Sequence, residues 1–285
     1  MYSVCAENKD FNTIALEDRI SGSTARIAAE RGGILTSFCP GWPEIMYLDT
    51  DTFYDTTANV RGGCPVLFPI CGRLKDKTYY IGDTAYTMEI HGFARSMPWK
   101  VLSGNTAGAA EVTLYLESDE RTRRQYPFDF RLEYTYSLKG DVLAIRQKTV
   151  NTTDGRDMPM SFGLHPYFRI DREKAKVFLH GATVFGEREE RGGASGFEGF
   201  TEFIVEKTGD EPPVLDTGLG YKVSISASDI YKYYVVWSPE DAGFACVEPW
   251  TALPDAQNTK EALIYLKPGE SRAGETKIRF TRLFP

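Results

Sequence analysis

Apolar and polar residues alternate with a period of two along much of this chain. Phe130, Leu132, Tyr134, Tyr136 and Leu138 take turns with Arg131, Glu133, Thr135 and Ser137. Val112, Leu114 and Leu116 alternate with Glu111, Thr113 and Glu117, Val223 and Ile225 with Lys222 and Ser224, and Ile278 and Phe280 with Lys277 and Arg279. Successive side chains of a strand point to opposite faces, so the pattern predicts half-buried antiparallel strands. Turn signals cut the runs short at Ser21-Gly22-Ser23, Pro40-Gly41, Gly82-Asp83, Lys139-Gly140-Asp141 and Pro268-Gly269. The stretch from Tyr79 to Met88 around Gly82-Asp83 reads as a hairpin. Helical periodicity is scarce: residues 51–58 and 118–125 suit a turn or two, and no apolar stripe is sustained beyond them.

Many short strands parted by turns predict an all-β protein, a sandwich or barrel of antiparallel strands, rather than strands alternating with helices. Residues 186–221 are rich in Gly, Glu and Pro and predict a long loop with a short strand near Phe203–Val205. The strand pattern resumes unchanged beyond it, so residues 1–285 are expected to form a single domain.

Composition narrows the function. The chain is 42% hydrophobic and 26% charged, an ordinary globular balance. A net charge of −7 speaks against general nucleic-acid or acidic-membrane binding, and leaves room for a local basic pocket. No apolar run approaches the ~20 residues of a membrane helix. The opening MYSVCAENKDF has no basic segment followed by an apolar one, so no secretory signal is expected. Five cysteines, an odd number without a regular framework, suit reduced thiols in the cytoplasm. Cys64 and Cys71 form no Cys-x-x-Cys pair and are expected to be small buried residues rather than metal ligands.

A few polar residues stand out by their surroundings. His165 lies in Ser-Phe-Gly-Leu-His-Pro-Tyr-Phe, where Pro166 favours an extended backbone and aromatics follow. Such a histidine is placed like a general acid or base, or like a core histidine bonded to a carbonyl. Glu248 lies in Ala-Cys-Val-Glu-Pro-Trp, after the apolar strand Phe244–Val247, with Pro249 expected to end the ladder. A carboxylate in that company is costly unless paired or used. Trp237 and Trp250 read first as core, although an indole beside a carboxylate also suits the apolar face of a sugar ring. Arg61, Arg73, His91 and Arg95 surround an apolar strand expected at Val66–Ile70, and guanidinium forks match oxyanions and phosphates. His180 has no such company and reads as structural. Walker, dinucleotide, Gly-x-Ser-x-Gly and His-Glu-x-x-His motifs are all missing, which removes support for nucleotide, nicotinamide, serine-hydrolase and zinc-protease chemistry.

Five pieces, VRGGCPVLFPICGR, IHGFARSMPW, SFGLHPYFRI, YVVWSP and FACVEPW, occur in this order between residues 60 and 250. Together they resemble the aldose 1-epimerase (galactose mutarotase-like) family, nearest its hexose-6-phosphate mutarotase branch. The resemblance implies a large antiparallel β-sandwich and interconversion of the α and β anomers of a hexose or hexose 6-phosphate. It implies Glu248 as the base that takes the anomeric hydroxyl proton and His165 as the acid that protonates the ring oxygen. Arg61, Arg73, His91 and Arg95 would bind substrate, and no cofactor or metal would be required. The expected partner is a small-molecule sugar or sugar phosphate, with the chain a monomer or weak dimer. One departure is visible: where the family often carries an Asp after the second histidine, this chain reads Gly199-Phe200-Thr201-Glu202-Phe203, with Glu202 and Asp216 as candidate replacements. Two other readings stay open, a catalytically silent sugar-binding or regulatory protein on the same frame, and a carbohydrate lyase or hydrolase. The last is disfavoured because hydrolases usually need two carboxylates flanking the bond.

Overall fold

The structure, a computed structural model, describes residues 1–7, 11–179, 182–185, 200–207, 209 and 211–283. It is an all-β antiparallel sandwich. One sheet has nine strands in the order Ala182–Phe185, Lys176–Leu179, Val214–Asp216, Tyr221–Ala227, Ser271–Arg282, Val142–Asn151, Phe130–Lys139, Ala110–Glu117 and Lys100–Asn105. A second runs Phe200–Glu206, Tyr233–Pro239, Phe244–Trp250, Gly163–Leu164 and Val66–Leu67, with Tyr167–Arg169 also paired to Phe244–Trp250. An N-terminal four-stranded meander spans Tyr2–Glu7, Thr13–Asp18, Ser23–Ala28 and Ile34–Pro40.

The alternating segments behave as the pattern demands. Phe130, Leu132, Tyr134, Tyr136 and Leu138 are all buried, while Arg131, Glu133, Thr135 and Ser137 between them are only partly so. Their apolar face joins Val112, Leu114, Ile145, Val223 and Ile278 in one core. From the facing sheet that core receives Val66, Leu164, Phe168, Val236 and Val247. Burial of that continuous apolar surface is the dominant favourable contribution to folding.

The hairpin expected around Gly82-Asp83 forms from Thr78–Ile81 and Thr84–Thr87. The weak helical signals correspond to Thr50–Tyr54, capped by Asp49, and Glu120–Gln125, capped by Asp119. A third short helix, Ala256–Thr259, gave no such signal.

Three expectations need correction. Val66–Ile70 is not one strand: the strand is Val66–Leu67, and Phe68 makes only an isolated parallel bridge to Gly92. Pro69 next in line has no N–H with which to extend a ladder. In the 186–221 region the short strand expected near Phe203–Val205 is present as Phe200–Glu206, paired along Tyr233–Pro239, but the loop expected beyond it is broken by a second strand, Val214–Asp216; residues 186–199 and His180 lie outside the described residues. Pro249 does not end its strand, which continues to Trp250 in register with Tyr233. On its other side Phe244–Trp250 pairs with Tyr167–Arg169 up to Cys246 and again with Gly163 at Trp250, but at no position between. A residue without an N–H is tolerated where the ladder is already open.

Candidate active site

That opening in the ladder is where the candidate residues meet. Tyr167 pairs with Cys246 and Gly163 with Trp250. The same register sets His165 opposite Glu248. Strand alternation then decides which way they point. Leu164 and Phe168 enter the shared core, and so does Val247. Tyr167 and Cys246 form a cluster on the opposite face with Phe244 and Trp237, and Trp250 packs there with Leu67, Cys71 and Val235. His165 and Glu248 belong to that outer face, and their side chains touch: His165 Nε2 lies 3.3 Å from Glu248 Oε1.

The pair is deeply buried, with His165 7% and Glu248 1% exposed. The Trp250 indole N–H donates to Glu248 Oε2 at 3.0 Å, so both carboxylate oxygens are engaged. The His165 ring stacks on Tyr167, centroids 4.7 Å apart and planes 10° from parallel. Trp237 meets it edge-on at 5.7 Å and His91 at 5.3 Å. Burial, reinforced by the nearby Arg95 charge, pushes the His165 pKa down to about 3, so the imidazole is neutral near pH 7. Its Nδ1 is buried without a partner among the described residues.

His91 is fixed by its backbone and its ring together. Its N–H donates to Gly72 O at 2.8 Å, and the Gly72 N–H donates to His91 Nδ1 at 3.0 Å. A nitrogen that accepts carries no proton, so His91 is the neutral tautomer protonated at Nε2. Burial first, then the charges of His165, Arg95 and Arg73, hold its pKa well below the usual value. His91 itself has a φ of 66°, an unusual conformation for a residue other than glycine. Gly92 follows at 73°, against the carbonyl of Phe68.

The three arginines differ. Arg95 is half-buried; its Nη2 donates to Ile90 O at 2.9 Å, and its buried Nε has no partner among the described residues. Its charge acts on Tyr167, Glu248 and His165. Arg61 and Arg73 are exposed. Both still act on the site electrostatically, Arg61 on the Tyr167 hydroxyl and Arg73 on His91. Of the two candidate replacements for the family Asp, Asp216 lies in the nine-stranded sheet, 3.7 Å from Lys222 Nζ, and Glu202 sits in the strand position opposite Trp237.

Two residues of the site escaped sequence reading. Neither Tyr167 nor Cys246 is singled out by its local sequence. The i, i+2, i+4 spacing of Cys246, Glu248 and Trp250 is the signal that places all three on one face. A separate cavity of about 610 Å³, lined by Tyr80, Phe128, Asp157, Asn258, Lys260 and Tyr265 among others, contains none of the site residues.

The fold agrees with what the chain is similar to. The protein belongs to the aldose 1-epimerase family, whose model matches residues 13–279. A Cenchrus ciliaris protein named "Putative glucose-6-phosphate 1-epimerase" is 27% identical over 279 residues, covering 87% of this chain and 78% of that protein. A Salmonella typhimurium protein of the same name is 32% identical over 145 residues, covering 50% of this chain and 44% of that one. Among solved structures, Slr1438 from Synechocystis sp. PCC 6803 superposes with a TM-score of 0.86 at 28% identity, covering 99% of this chain and 100% of that one. A galactose mutarotase-like protein from Clostridium acetobutylicum shares the fold, with a TM-score of 0.79 at 20% identity over 99% of both chains. No helix among the described residues is long and apolar enough to cross a membrane.

Proposed function

We propose that the protein interconverts the anomers of a hexose or hexose 6-phosphate, with Glu248 as base and His165 as acid. The observation that carries this reading is the direct, buried contact between His165 Nε2 and Glu248 Oε1 at 3.3 Å. A sugar entering between the two would meet a proton acceptor and a proton donor together, as ring opening requires. Glu248 takes the proton from the anomeric hydroxyl, C1 becomes a carbonyl, and the bond from C1 to the ring oxygen breaks. The ring oxygen gathers negative charge as it leaves and takes the His165 proton. A neutral imidazole can polarise and protonate such a developing alkoxide without first being charged. Rotation about C1–C2 and reclosure, with the two residues exchanging roles, deliver the other anomer.

The surroundings fit a polyol. Unpartnered His165 Nδ1 and Arg95 Nε are buried polar atoms that sugar hydroxyls would satisfy. Half-buried Trp237 offers an indole to the apolar face of a ring. Exposed Arg61 and Arg73 are suited to a charged substituent such as a 6-phosphate. The test is anomer exchange by NMR on glucose 6-phosphate, glucose and galactose side by side. Glu248→Gln and His165→Ala should each lower the exchange rate by the ~10²–10⁴-fold that positioned acid–base catalysis supplies. Full exchange activity in either folded variant removes the assignment, and tight sugar binding by the parent without accelerated exchange identifies a silent binder instead.

A further inference from the structure

The acid–base pair does not stand alone on its face of the sheet. Cys246, two residues before Glu248 and fully buried, points the same way. One ligand atom each from His165, Cys246 and Glu248 lie within 4.8 Å of one another. We propose that these three residues form a binding site for a borderline-soft divalent cation of the zinc class, and that filling it shuts off the acid–base pair.

The donor set suits zinc: imidazole nitrogen, thiolate sulfur and carboxylate oxygen are its usual ligands. Bonds of about 2.0–2.3 Å from a tetrahedral ion place its donors about 3.3–3.8 Å apart. The His165–Glu248 pair is already at 3.3 Å. The trio as a whole, within 4.8 Å, needs to close by only about 1 Å at its widest. Register supplies the preorganisation, because Cys246 and Glu248 are successive same-face residues of one strand and His165 stands opposite Glu248. Three protein ligands leave a fourth position for water or a sugar oxygen.

Binding needs the thiol proton to leave as the sulfur–metal bond forms, with the proton passing to solvent and no change of oxidation state. Burial, and then Glu248, hold the Cys246 thiol protonated in the absence of metal. A divalent charge at 2–3 Å reverses that preference, since a coordinating thiol is deprotonated outright. The Arg95 guanidinium opposes the cation, because its charge reaches both His165 and Glu248. The ion is therefore a reversible inhibitor rather than a structural fixture. The binding part of the proposal is independent of the epimerase reading; the inhibition part rests on it.

Cys5 is exposed and Cys39 partly so, and either would bind added metal by itself. The experiment therefore uses the full chain with C5S and C39S. Stoichiometric Co²⁺ is expected to produce a sulfur-to-cobalt charge-transfer band in the near ultraviolet that Zn²⁺ displaces. Zn²⁺ is expected to stop anomer exchange, reversibly on chelation. Adding C246S should abolish the band and, measured against the variant's own metal-free exchange rate, weaken Zn²⁺ inhibition by at least the ~10–100-fold that loss of even a residue bonded to a ligand costs a metal site. A folded parent without the band, or C246S binding Zn²⁺ as tightly as the parent, overturns the proposal. A band that requires both Cys246 and His165 in a protein that exchanges no sugar supports the metal site while removing the epimerase reading.

Discussion

Trp250 donates its indole N–H to Glu248 Oε2 at 3.0 Å from two positions further along the same strand. The bond holds the carboxylate with its other oxygen toward His165 and stabilises its charged form. Replacing Trp250 by Phe keeps the ring and removes the donor. A hydrogen bond to a charged group contributes ~1.5–3 kcal/mol, so kcat is expected to fall by roughly 10–100-fold. The acid limb of the pH–rate profile should move to higher pH, because the variant carboxylate is easier to protonate. A profile that keeps its position while the rate falls would assign Trp250 to packing alone.

Acid stability follows from the two neutral histidines. Burial holds His165 down to about 3 and His91 well below its usual value. In the unfolded chain both titrate near ~6.5. Between these limits the unfolded state binds protons that the native state refuses, so stability is full above pH ~6.5 and is lost as pH falls toward ~3. Each histidine contributes a slope approaching ~1.4 kcal/mol per pH unit in that window. Urea midpoints at several pH values from about 7 to 4 should fall steadily in the parent. The fall should be shallower in His165→Gln, and equal slopes would mean that His165 does not titrate on unfolding.

Much of the fold is legible in the sequence. Segments with one wet face, such as Phe130–Lys139, advertise their strands because burial and exposure alternate. The Phe244–Trp250 strand carries no such signature, since all seven of its residues are buried. Both of its faces are covered, one by the shared core and the other by the aromatic cluster, so apolar and polar residues no longer report orientation. Pro249 defeats a local reading for a related reason: whether a missing N–H breaks a ladder depends on which side is already unpaired, a tertiary fact. The motif residues His165 and Glu248 were visible by their company. Their contact was not, because it depends on a register between segments eighty residues apart in the chain.

Arg61 and Arg73 are expected to act on affinity rather than chemistry, because both are exposed while His165 and Glu248 are buried. Alanine at either position should raise KM for hexose 6-phosphate by roughly tenfold, the effect of losing one charge-assisted contact of ~1.5 kcal/mol. KM for the unphosphorylated hexose should change little, and kcat less than twofold. The phosphate effect should shrink as salt is added. Equal losses on both sugars would argue against a phosphate-facing role.

Gly92 is the most sterically constrained of the positions around His91. With φ at +73°, a Cβ there would lie 2.2 Å from the Phe68 carbonyl oxygen, a backbone atom with nowhere to go. Gly92→Ala is expected to cost ~3 kcal/mol or more and to lower the melting midpoint by roughly 5–10 °C. Gly243→Ala, where a Cβ meets nothing within 4 Å, serves as the near-neutral control. Comparable midpoints for the two variants would contradict the steric account.

The Phe244–Trp250 strand leaves one more consequence. Because its two faces serve different masters, the list of residues it tolerates should carry two interleaved signals. Position by position along this strand, an activity screen and a folding screen should disagree in alternation: Ala245 and Val247 answer to the core, and Cys246, Glu248 and Trp250 answer to the ligand. A single strand would thus encode the stability of the sandwich and the identity of its chemistry as two texts written on alternate lines.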